Sequence, residues 1–90
     1  MTFETAETIA FKALASLAAT PESLKNFLDS SGLDAATIRA RAADPEFLAG
    51  VLDFLLRDET LLISFCESES LDARQIHLAA HRLAEPEKFG

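Results

Sequence analysis

Apolar residues recur along this chain at helical spacing, in short runs separated by a glycine, a proline or a capping side chain. From about Phe3 to Ala19, the residues Phe3, Ala6, Ile9, Ala10, Ala13, Leu14 and Leu17 share one broad face. Thr5, Thr8, Lys12 and Ser16 stand opposite, which predicts an amphipathic first helix. Phe11 falls outside the apolar face. Thr20 then Pro21 reads as an N-cap followed by proline at the first helical position, where a missing N–H costs nothing. A second helix starts there, with Leu24, Phe27 and Leu28 as its stripe and Gly32 as its left-handed stop. Asp34 caps a short third helix to about Ala43, whose expected buried side is Ala35, Ile38 and Ala42.

Asp44 and Pro45 repeat the cap-proline start. The fourth helix, about Pro45 to Arg57, is apolar almost all round, and only Glu46, Gly50, Asp53 and Arg57 form a narrow polar strip. That pattern predicts the central helix of a bundle. Asp58 caps a fifth helix to about Glu69, with Leu61, Leu62 and Phe65 inward. Asp72 caps a sixth to about Ala84, with Ala73, Ile76, Ala80 and Leu83 inward, and Pro86 stops it. The expected fold is therefore all-α: a compact orthogonal bundle of five or six short helices around a hydrophobic fourth helix. Residues 1–84 are expected to form a single helical domain, and residues 85–90 a flexible C-terminal tail.

One pattern recurs 38 residues apart: Phe27-x-Asp29-Ser30-x-x-Leu33-Asp34-Ala35-x-x-Ile38 against Phe65-x-Glu67-Ser68-x-x-Leu71-Asp72-Ala73-x-x-Ile76. In each copy an aspartate caps a helix, and the leucine before it pairs with an isoleucine one turn in, as a hydrophobic staple. Gln75 can complete a capping box. Cap-and-staple chemistry also recurs by convergence, so the echo establishes shared geometry more firmly than duplication.

Three segments carry a family resemblance: Pro21-Glu22-x-Leu24-x-x-Phe27-Leu28, then Gly32-Leu33-Asp34-x-x-x-Ile38-Arg39, then Asp44-Pro45-x-Phe47-Leu48-x-x-Val51-Leu52-Asp53-Phe54-Leu55-Leu56 running on to Phe65. Over about residues 6 to 83 the chain resembles a small bacterial family of unknown function, DUF3572. The resemblance implies an all-helical cytoplasmic protein and supplies no activity, cofactor or functional residue.

Charge narrows the partners. Eight basic against fifteen acidic side chains give a net charge of −7, a field that repels phosphate backbones and anionic lipid. Nucleic acid and membrane surface are thus disfavoured, and a partner steered by this field carries a basic patch. Cys66 is the single cysteine, which excludes an internal disulfide and fits a reducing, cytoplasmic setting. Glu4, Glu7 and Lys12 deny the N-terminal stretch the pattern of a signal peptide, and Asp53, Arg57 and Asp58 cut the longest candidate membrane span.

Reactive chemistry has few candidates. His77 and His81 stand four apart, a spacing that can present two imidazoles to one metal, but Arg74 shares their flank and two ligands do not make a site. The simpler reading is a solvated helix flank. Cys66 lies in an apolar helix near Glu59, Glu67 and Glu69, which are expected to raise its pKa, so a small core residue is expected instead of a nucleophile. Leu24 to Ala43 has the rhythm of a helix-turn-helix, with Thr37, Arg39 and Arg41 on the second helix, against which the negative field argues. No motif calls for a metal or other cofactor. Phe11, Ile63 and Leu78 are apolar yet off the inward stripes. They either fill gaps in the core or form a patch for a protein partner or a second copy, in a chain that is otherwise a monomer or weak homodimer. The favoured reading is a small non-enzymatic protein-interaction or regulatory module. Its rivals are a metal- or thiol-dependent activity of His77, His81 and Cys66, and a helix-turn-helix nucleic-acid binder.

Overall fold

Capping side chains divide the chain into its elements. The computed structural model describes residues 1–85, apart from the side chain of Ala35. Over those residues run α1 (Phe3–Ala19), α2 (Pro21–Ser31), α3 (Ala35–Arg41), α4 (Pro45–Arg57), α5 (Glu59–Glu69) and α6 (Ala73–Ala84). Most of the expected tail, residues 86–90, lies outside the described residues. The carboxylate of Asp34 accepts from the Thr37 N–H at 2.8 Å, that of Asp44 from Glu46 at 3.0 Å, and that of Asp58 from Leu61 at 3.2 Å. Asp72 accepts from Gln75 N–H at 3.1 Å while the Gln75 side chain accepts from Asp72 N–H at 3.0 Å, the reciprocal capping box expected there. Thr2 caps α1 through its hydroxyl, a role not anticipated from the sequence. Thr20 departs from expectation. It occupies the N-cap position of α2, but its side chain makes no capping bond; its N–H donates to Leu17 O at the end of α1 and its carbonyl accepts from Leu24 N–H.

The third helix is shorter than expected, ending at Arg41 instead of near Ala43. The cause lies downstream. Asp44 precedes Pro45 and is held extended (φ −76°, ψ 121°), and its N–H reaches back to Arg41 O at 2.8 Å, so Ala42 and Ala43 turn the chain instead of prolonging the helix. Ile38 and Ala42 are half-buried, not buried, and α3 has no extensive packing against another helix among the described residues.

The core belongs to α4. Leu48, Val51, Leu52 and Leu55 have no exposed surface, whereas Glu46, Gly50, Asp53 and Arg57 are all exposed, as the pattern predicts. Helix α4 packs against α6, α1 and α5, and α1 also packs against α6 and α2. Helix α1 buries Ala6, Ile9, Ala10, Ala13 and Leu17, the expected stripe with Phe3 and Leu14 at its half-buried margins. In α6 the stripe differs by one position. Ala79 is buried, while Ala73, at the first helical position, is exposed. No polar or charged residue is buried among the described residues, so the interior is held by apolar packing alone. Two edge-on aromatic contacts, Phe27 to Phe47 at 6.0 Å and Phe27 to Phe54 at 5.3 Å, pin α2 onto α4. Arg82 lies over the Phe3 ring at 5.9 Å and ties the end of α6 to the start of α1. The radius of gyration is 12.4 Å, close to the roughly 12 Å of a compact chain of this length. No described helix is long and apolar enough to cross a membrane.

Candidate functional site

The three apolar residues off the helical stripes are exposed. Phe11 exposes 42%, Ile63 50% and Leu78 49% of its surface, against 9% or less for every residue of the core. Phe11 joins a concave surface. With Leu14 and Ala18 of α1, Leu24 of α2, Ile38 of α3 and Ala42 of the turn after it, it walls a groove of about 370 Å³. Arg39 is the one charged residue of that lining. Leu24, Ile38 and Ala42 were expected to face inward. They are half-buried walls of this groove, and Ile38 also packs against the core. Ile63 lies on α5 and Leu78 on α6, the latter in the turn between Arg74 and Arg82.

A second concavity lies between α2 and α4, with a volume of about 300 Å³. Phe27, Phe47 and Phe54 form its apolar wall, and Arg41, Arg57 and Glu46 are its charged residues. Gly50 forms part of its lining, and a Cβ built there would meet nothing within 4 Å. By sequence, Phe27, Phe47 and Phe54 fall among the apolar positions of α2 and α4, Glu46, Gly50 and Arg57 on the narrow polar strip of α4, and Arg41 on the second helix of the helix-turn-helix rhythm. The one available signal was Gly50, a glycine in the middle of a helix.

Elsewhere the reactive side chains stay apart or masked. His77 and His81 are exposed on α6, and His81 Nε2 lies 3.4 Å from Glu85 Oε2, whose other oxygen faces Arg82 at 3.8 Å. Among the described residues no three His, Cys, Asp or Glu side chains converge as metal ligands would. Cys66 is buried on α5. Burial pushes its thiol pKa up, and the Asp72 carboxylate pushes it further in the same direction. The expected direction is correct, but the acid responsible is Asp72 and not Glu59, Glu67 or Glu69. Asp72 comes near because the chain turns back at Ser70 and Leu71 N–H donates to Cys66 O at 2.9 Å.

The helix-turn-helix rhythm is present as α2, a turn and α3. Yet Arg39 and Arg41, two residues apart on a helix, leave it about 160° apart, and they line different concavities. They therefore do not share the single face with which a recognition helix enters a groove.

Residues 3–86 match the family described as Protein of unknown function (DUF3572). The chain belongs to this family. No curated protein and no solved structure matches this DUF3572 chain. The match spans all six helices and both concavities, so those features lie within the family's shared region.

Proposed function

We propose that this DUF3572 chain is a small non-enzymatic protein-interaction module, and that Phe11 anchors its partner in the groove between α1, α2 and α3. One observation carries the reading: a large aromatic side chain stands exposed over a groove walled by apolar residues. Keeping that surface wet is costly, at about 25 cal/mol per Å² of apolar area, and a docked side chain removes the cost. Arg39 at the groove selects a partner segment with an acidic side chain beside its apolar anchor, while the −7 field favours basic residues outside the contact. Ile63 and Leu78 extend the same partner patch onto α5 and α6 if the partner is large enough to reach them. The setting we propose is the cytoplasm.

Site-specific photo-crosslinking in the native cell tests this. A benzophenone amino acid at position 11 is expected to give a discrete adduct that is lost on Arg39→Glu, while the same group at exposed Ala40 gives none. Adducts at positions 63 and 78 to the same protein would place all three residues in one patch. Equal labelling at positions 11 and 40 would overturn the proposal.

A further inference from the structure

The cavity between α2 and α4 is chemically unlike the Phe11 groove. From it we infer a second site, one that binds a small aromatic monocarboxylate. Two arginines, Arg41 and Arg57, line this one cavity on a molecule whose net charge is −7, and neither is in an ion pair within 4.0 Å among the described residues. Arg57 directs its Nε–H back to Asp53 O at 3.4 Å, which orients the guanidinium and leaves its terminal nitrogens to donate outward. A planar fork of that kind fits a carboxylate. Glu46 lines the same cavity and offsets one of the two positive charges. The remaining single charge matches a monoanion better than a phosphate dianion.

The apolar part of the ligand is defined by the wall. Phe27 already meets Phe47 and Phe54 edge-on, at interplanar angles of 75° and 77°. Phe54 is only half-buried, so an aromatic ring entering the cavity extends an existing cluster in the geometry such rings prefer. Gly50 supplies the room. A glycine inside a helix weakens it, and here no neighbouring atom requires the missing side chain, since a Cβ would stand in open space. Gly50 is itself part of the cavity lining, so an added methyl group there would stand at the cavity's surface. The volume of about 300 Å³ suits a ligand of one or two fused rings.

The experiment is a ¹H–¹⁵N titration of the full chain with naphthalene-2-carboxylate, and with naphthalene-2-carboxamide as the neutral match. Saturable shifts are expected at Ser30, Ser31, Gly50 and the Arg57 side chain, with the amide binding about ten-fold or more weakly, as loss of a charge-assisted contact requires. Gly50→Ala is expected to melt at a higher temperature than the parent and to bind the carboxylate about ten-fold more weakly, a combination that damage to the fold cannot produce. Arg57→Gln is expected to lower affinity for the carboxylate and leave that for the amide unchanged. Equal affinity for the two compounds, shifts centred on the Phe11 groove, no saturation, or unchanged binding by Gly50→Ala would each overturn the inference. Crosslinking at Phe11 succeeds or fails independently of all four results.

Discussion

Cys66 has two neighbours that act on it in the same direction. Its place against the α4 and α6 core withdraws water from the thiolate, and Asp72 adds a like charge, so the thiol is favoured in the fold. A folded pKa above the unfolded one stabilises the protein below the unfolded value, and the benefit is lost as pH rises through the folded value. The stability difference between the parent and Cys66→Ala is therefore expected to hold steady near neutral pH and to shrink from about pH 9 upward, as the parent loses its thiol proton. Thermal melts of both proteins between about pH 7 and about pH 10 measure this. A constant difference across the range would mean that the thiol titrates alike in both states. The burial of Cys66 was readable from the apolar helix around it. The identity of its acidic neighbour was not, because that depends on how the chain reverses after α5.

That reversal is where the internal echo becomes physical. Gly32 ends α2 at φ 73° and Ser70 ends α5 at φ 57°, at equivalent places in the two copies, and the following aspartates cap α3 and α6 with nearly identical backbone angles. One recipe thus builds both turns, once with glycine and once with a residue that pays a conformational penalty. Ser70→Gly is expected to stabilise the protein by about 0.5–1 kcal/mol, the strain relieved less the extra freedom of the unfolded chain. Gly32→Ala is expected to destabilise it by about 1–2 kcal/mol. Space is open around Gly32, so the second cost is conformational alone. Chemical denaturation reads both, and a destabilised Ser70→Gly would show that the serine side chain contributes something its backbone angle hides. Helices α1, α4, α5 and α6 were legible nearly to the residue, because apolar stripes mark all four and aspartate caps mark the last three. Helix α3 was not, since its seven residues hold too short a stripe to outweigh the Asp44–Pro45 constraint that ends it. Likewise the α2–α4 cavity is a property of two helices side by side, and no single stripe announces it.

At the scale of the molecule, no charged residue among the described ones is buried in a flat body of 41 × 29 × 17 Å, and the apolar surface left outside includes Phe11, Ile63 and Leu78 and the Phe11 groove. A flat body offers broad faces on which to dock, and the net charge decides what can use them. Two copies at −7 repel each other, and salt weakens that repulsion by shortening the Debye length from about 10 Å at 0.1 M to about 3 Å at 1 M. The chain is therefore expected to sediment as a monomer at about 0.1 M salt, with any weak dimer confined to salt near 1 M, where the repulsion is screened and apolar contact remains. Phe11→Glu adds a like charge at the groove and should abolish that high-salt dimer if the groove forms it. Leu78→Glu should abolish it instead if α6 does. Sedimentation velocity across the salt range on the three proteins separates these outcomes. A concentration-dependent dimer already present at low salt, and lost on Phe11→Glu, would make a second copy of this chain the occupant of the groove and displace the heterologous partner proposed for it.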